Sequence, residues 1–207
     1  MTVPMMKTVN LDTDELQGKY AESVASWLLD AEEPFSSWLH EGRENAQTFV
    51  NKLMNQRASL RWLGRVTVGL QESTPIGGFI GISGKQMQLC ATSDALAFIR
   101  AVPREQHAER SNRFRDAYAT FPSVPSATYL LSHFGITPSV RGKGLSTPLL
   151  KAFLLRGAQL GFTMFQLNVA CENEPAIRLY SSHGFKVDHT FSIPKTSMQF
   201  HCMRLAC

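Results

Sequence analysis

The sequence predicts an α/β (α+β) fold: a mixed six- to seven-stranded sheet flanked by helices, with a helical insertion before the central strand. Three observations predict it. The apolar run Tyr129–Ile136 reads as a buried strand, and a glycine-rich turn carries it into a helical pattern in which Leu145, Leu149, Leu150, Phe153 and Leu154 recur at spacings of three and four. Two earlier segments carry apolar stripes at helical spacing, which need a sheet or each other for cover. A hairpin pattern precedes the central strand and two further strand–helix or strand–strand patterns follow it.

In chain order, residues 5–9 read as a short first strand. Asp12 and Glu15 have the spacing of a capping box, and Leu16, Tyr20, Val24, Trp27 and Leu28 follow on one helical face. Pro34 ends that region. A second helix is expected over 43–56, with Ala46, Phe49, Val50, Leu53 and Met54 as its stripe. Residues 60–70 and 76–82 then read as two strands around a Gln71–Pro75 turn, with Gly77, Gly78 and Gly81 marking bulges or close backbone approach. The insertion, residues 84–127, is charge-rich, with helices expected at 94–101 and 103–119. It reads either as a solvated flap or as a lid over an acceptor site. As a lid, its arginines at 100, 104, 110, 113 and 115 would suit an acceptor bearing a carboxylate or phosphate. After the glycine-rich turn the long helix stops near Gly161. A strand is expected at 164–170, a helix from an Asn173 cap to Gly184, and final strands at 185–191 and 198–205.

Composition narrows the function classes. With 207 residues, 43% hydrophobic and 18% charged, the chain is expected to form one domain over residues 1–207 with a sizeable core. It has no run of about 18 apolar residues, so no membrane span is expected. Residues 1–10 lack a signal-like apolar stretch, which points to the cytoplasm. Cys90, Cys171, Cys202 and Cys207 show no paired spacing, so they read as reduced thiols, and no metal site is expected. A net charge of +4 favours anionic ligands. No Lys/Arg run interleaves with aromatics, so nucleic acid is the weaker reading.

The turn Thr137–Ser146 carries the strongest signal. A glycine-rich turn opening a helix aims backbone N–H groups at one anion, and the helix N-terminus adds partial positive charge. Gly142 and Gly144 let the backbone approach a phosphate, while Arg141 and Lys143 bring full charges. The P-loop pattern fails, because Gly144 follows Lys143 and Thr137 stands where its first glycine belongs. The dinucleotide fingerprint fails at Thr147. Ile136-Thr137-Pro138 with Arg141-Gly142-Lys143-Gly144-Leu145 instead resembles the acyl-CoA loop of the GNAT superfamily of N-acetyltransferases. Ser139 replaces its usual Gln or Arg, and Pro148 falls where the helix should already run. A second motif, Asn173-x-x-Ala176-Ile177-x-Leu179-Tyr180-x-x-x-Gly184-Phe185, also resembles that family.

The resemblance covers residues 129–205 well and the N-terminal half by element order. It implies a GNAT fold and an enzyme that moves an acetyl group from acetyl-CoA, as co-substrate, to an amine by direct attack in a ternary complex. It implies an acetyl-CoA site at Phe134, Gly135, Ile136, Arg141, Gly142, Lys143, Gly144, Leu145, Ser146 and Asn173, with Tyr180 protonating the leaving thiolate. By the residues alone, Asn173 also reads as a plain helix cap and Tyr180 as a core aromatic. The general base is less marked. The central strand carries no acid, and besides Tyr129 its only titratable side chain is His133; Glu72 and Glu172 are weaker candidates. Cys171 has no readable His or Asp partner and is not expected to be a nucleophile. The acceptor is a small-molecule or peptide amine, and a homodimer fits the family's habit. The alternative is a non-catalytic acyl-CoA-binding sensor.

Overall fold

The computed structural model describes residues 6–207. Residue 5, the start of the expected first strand, lies outside them, and β1 (Met6–Asn10) is the remainder. In α1 (Asp14–Asp30) the cap is Thr13 rather than Asp12, its Oγ1 accepting the Leu16 N–H at 3.3 Å. The buried face holds Tyr20, Val24, Trp27 and Leu28, as the spacing predicts. A short helix α2 (Phe35–His40) follows Pro34; its six residues are too few for a period to show in the sequence. Helix α3 (Arg43–Met54) matches expectation. Strand β2 (Val66–Gln71) starts later than residue 60, because residues 60–65 turn to bring Arg61 into a buried ionic cluster.

Strand β3 (Thr74–Ser83) completes the hairpin. The insertion is more regular than expected. Helix α4 (Gly84–Arg100) begins well before Asp94, because the Ser83 side chain caps it by accepting the Gln86 N–H at 3.2 Å. Helix α5 (His107–Tyr118) follows a short 3-10 turn. Strand β4 (Thr128–Ile136) leads to α6 (Ser146–Gln159), β5 (Met164–Ala170), α7 (Glu174–Ser182), β6 (Lys186–Ser192) and β7 (Gln199–Ala206). The insertion is not a solvated flap: Phe98, Phe114 and Ala117 pack against Leu39, Phe49 and Leu53 of α2 and α3.

Among the described residues the strands form one seven-stranded sheet, ordered β1-β2-β3-β4-β5-β7-β6. Every neighbouring pair is antiparallel except β4 and β5. That parallel pair is registered only from Thr128↔Met164 to Leu131↔Leu167. Beyond it the two strands part, leaving residues 132–136 and 168–170 on opposite banks of an opening in the middle of the sheet.

A bulge sits at the start of this opening. Ile80 pairs with His133 and Gly81 with Leu131, so Ser132 is an extra residue in β4. The bulge reverses the alternation of side chains. Tyr129 and Leu131 join Phe134 and Ile136 in the core under α6 and α7. His133 is thereby turned to the other face, beside α1.

Helix α1 is held over that face by two glycines. Gly78 and Gly135 are cross-strand partners. A Cβ on Gly78 would lie 2.7 Å from Trp27 Cζ2, and one on Gly135 would lie 2.8 Å from Trp27 Cε3. The indole therefore lies flat against bare backbone, and the C-terminal turn of α1 projects over the strand opening. Gly135→Ala should overpack this contact and destabilise the protein by about 1–3 kcal/mol. A denaturant melt checks it, and an unchanged midpoint would show that Trp27 has room to move.

Candidate active site

The opening between β4 and β5 continues into a cleft of about 750 Å³. The Thr137–Ser146 turn and α7 wall one side. The end of α1, α2 and the insertion wall the other.

At the turn, Gly142 and Gly144 have φ of +77° and +74°, backbone that glycine adopts without the Cβ clash. A Cβ on either would meet no protein atom within 4 Å, so the space above them is empty. Helix α6 starts at Ser146 without a side-chain cap. Pro148 falls in the first turn, where its missing N–H is no loss, and the first-turn N–H groups of Ser146 and Thr147 stay free for an anion. Val140, Gly142, Gly144, Leu145 and Ser146 line the cleft.

The two cations of the turn differ from expectation. Arg141 lines the cleft, but its Nε donates to the Ile136 carbonyl and its Nη2 to Asp30, each at 3.0 Å. It ties the turn to α1, and Asp30 offsets its charge. Lys143 is exposed and does not line the cleft.

Tyr180 lies across the opening, 6% exposed, with its ring edge-on to Phe134 and Phe185. Burial pushes its phenol well above the usual tyrosine range, so it keeps its proton. Asn173 does cap α7, its Oδ1 accepting the Ala176 N–H at 3.2 Å, yet it also lines the cleft. Phe134, Gly135 and Ile136 form the β4 bank.

His133 has a partner that the sequence does not reveal. Its Nε2 lies 2.5 Å from Oε1 of Glu32, in the turn just after α1, and Ser132 Oγ is 2.9 Å from its Nδ1. Glu32 also accepts from Arg61 Nε at 2.5 Å, and Arg61 reaches Asp94 at 3.2 Å. Burial by itself would push the Glu32 carboxyl up, but the Arg61 charge and the His133 hydrogen bond hold it well below the usual carboxylate range. Glu32 is therefore a carboxylate. It fixes Nε2 as the protonated nitrogen and leaves Nδ1 to accept from Ser132. A Glu-Glu pair just before Pro34 was the only hint in the sequence. Glu72 and Glu172 are exposed and stand outside the cleft.

Asn168 was also missed. It sits on the β5 bank, one residue past the last β4–β5 pair, and its Oδ1 is buried without a hydrogen-bond partner. The arginines of the insertion do not reach the cleft. Arg110 and Arg113 pair with Glu41, Arg115 bonds Asn112, and Arg100 and Arg104 are exposed. The expectation of an anionic acceptor held by those arginines is corrected accordingly.

Cys171 does have a partner, His201 Nδ1 at 3.6 Å, contrary to the sequence reading, but burial pushes its thiol up and it lies outside the cleft. Asp188, His189 and Cys202 bring three potential metal-ligand atoms within 4.8 Å of one another; Arg204 already pairs with Asp188 at 3.3 Å. No helix among the described residues is long and apolar enough to cross a membrane.

Residues 84–185 match the model of the acetyltransferase (GNAT) family, and the match includes the segment read as an insertion. No curated protein matches the sequence. Among solved structures, the chain is similar to an N-acetyltransferase from Staphylococcus aureus Mu50, with TM-score 0.67, 18% identity, and 97% of this chain and 100% of that one covered. It is similar to another acetyltransferase with TM-score 0.64, 18% identity and 98% of each chain covered. It is also similar to the NatC complex bound to Gag peptide and CoA, with TM-score 0.54, 13% identity and 98% of each chain covered. At these identities the likenesses speak for a shared fold.

Proposed function

Since residues 84–185 of this chain belong to the GNAT acetyltransferase family, we propose that the protein transfers an acetyl group from acetyl-CoA to an amine by direct attack. The observation that carries this reading is the parted β4–β5 pair. It joins an uncapped, glycine-rich helix start on one side of the sheet to a buried phenol and a histidine–carboxylate pair around the opening. The turn and the first-turn N–H groups of α6 suit the cofactor's phosphates. Asn173 and the β4 bank suit its pantetheine arm.

In this mechanism the amine nitrogen bonds to the thioester carbon as the C–S bond breaks. Backbone N–H groups on the β4 bank stabilise the charge gathering on the carbonyl oxygen. The amine proton passes to Ser132 Oγ as that hydroxyl gives its own to His133 Nδ1, and Glu32 stabilises the imidazolium. Tyr180 protonates the departing thiolate. Release of CoA in the presence of an amine panel tests the reading; acetyl-CoA binding with no amine-dependent CoA release would leave a sensor instead.

The cofactor side has its own test. At a ligand concentration of about 100 Kd, acetyl-CoA should add about 2.7 kcal/mol of stability by mass action. Gly142→Val and Gly144→Val should abolish the resulting rise in Tm, because a side chain then occupies the space above the turn in a backbone region that valine resists. Equal Tm shifts in wild type and variants would remove the phosphates from this turn.

A further inference from the structure

The side of the cleft facing α1, α2 and the insertion is built of aromatic rings. Phe35 from α2, Tyr118 from α5, Phe121 from the connection after it and Phe200 from β7 all line it. Phe35 stands edge-on to Phe121 at 5.3 Å and to Tyr118 at 5.7 Å, while Tyr118 and Phe121 stack at 5.4 Å. Phe200 closes the group, 6.4 Å from Phe35 and 6.1 Å from Phe121. Phe35, Tyr118 and Phe121 are only partly buried, so ring surface faces the cleft.

The charges on this side are already committed. Asp30 pairs with Arg43 and Arg141, Glu33 with Arg43 and Ser37, and Glu32 with Arg61 and His133. Neither a carboxylate nor a second ammonium on the acceptor would find an uncommitted ion among these groups. The polar group left over is the Asn168 Oδ1, buried without a donor at the edge of the opening. An amine N–H supplies the missing donor.

We propose that the acceptor is an arylalkylamine: a primary amine on a short alkyl linker, with an aromatic ring and no carboxylate. Its ring stands among Phe35, Tyr118, Phe121 and Phe200, and its nitrogen donates to Asn168 Oδ1. Edge-on and stacked ring contacts add to area burial, and the rings also favour the incoming ammonium. The proposal rests on the acetyltransferase reading and narrows it to one acceptor class.

Phenethylamine, hexylamine and spermidine separate the ring from chain length and charge. Binding to the full chain is measured by calorimetry, and acetylation by CoA release. The KM for phenethylamine should be about tenfold below that for either aliphatic amine, the size expected from one or two ring contacts. Phe121→Leu keeps an apolar side chain without the ring, and should raise the phenethylamine KM about tenfold while leaving the KM for acetyl-CoA unchanged. Equal KM values for phenethylamine and hexylamine in the wild type, or a preference for spermidine, would overturn the proposal while the acetyltransferase reading stands. That comparison needs no variant, so it decides the matter even if Phe121→Leu folds poorly. Phenethylamine binding without CoA release would support the subsite and overturn the acetyltransferase reading. No phenethylamine binding by calorimetry overturns the proposal whatever the fate of acetyl-CoA.

Discussion

Tyr180→Phe is expected to lower kcat by about 10²–10⁴-fold, the usual contribution of a general acid, with acetyl-CoA binding and the fold unchanged. The substitution keeps the ring that packs on Phe134 and Phe185 and removes only the hydroxyl. Burial holds that phenol protonated far above neutral pH, so it can act as a donor throughout the working range. Tyr180 lines the cleft, and no hydrogen bond within the protein occupies its hydroxyl among the described contacts. The loss should shrink with a thioester whose thiol has a lower pKa, because that leaving group needs less help. Ground-state binding would not produce such a dependence. Pre-steady-state kinetics with two thioesters checks both points. Wild-type kcat in Tyr180→Phe, with chemistry rate-limiting, would return Tyr180 to the role of a core aromatic.

Glu32→Ala is expected to destabilise the protein by about 3–5 kcal/mol, the cost of stranding a buried partner charge, and so to lower Tm by roughly 6–20 °C. Arg61 would keep only Asp94 at 3.2 Å, and the His133 Nε2–H would lose its acceptor. The same variant should impair acetyl transfer beyond its effect on folding, since nothing then stabilises the imidazolium. The pH dependence follows from the carboxyl's depressed pKa. Glu32 stabilises the fold above its unfolded value of 4.5, and that contribution is lost as pH falls through the lower, folded value. Asp94 acts in the opposite sense, because burial pushes its carboxyl up. Urea melts from pH 7 down to pH 3 should therefore show a steeper acid loss in wild type than in Glu32→Ala. Parallel pH profiles would mean that Glu32 is already protonated, and the ionic cluster would need another account.

The local signals of this chain were legible without the structure. The Tyr129–Ile136 run, the glycine turn, the stripe of α6 and the Asn173 cap are each set within about ten residues, by side-chain period and backbone freedom. That Gly142, Gly144 and Tyr180 share one cleft followed only from the resemblance of the two motifs to the family, because no local rule joins them. The side of the cleft formed by α1, α2 and the insertion was not legible, because no local rule holds it. An extra residue at Ser132 turns His133 to the face it occupies, and a bulge leaves no mark in an apolar run. Glu32 meets His133 across 101 residues only because Trp27 lies flat on Gly78 and Gly135. Arg61 broke an expected strand in order to pair with Glu32 and Asp94, a case of buried charge overriding strand propensity. The aromatic wall draws on α2, α5, the connection after it and β7, and of the insertion's five arginines Arg110 and Arg113 turn to Glu41 while the others stay outside the cleft. The sequence by itself determined the glycine-rich turn and the helix that carries the tyrosine. Tertiary packing alone decided which charges neutralise one another and which side chains line the rest of the cleft, because those contacts join residues that no periodicity connects.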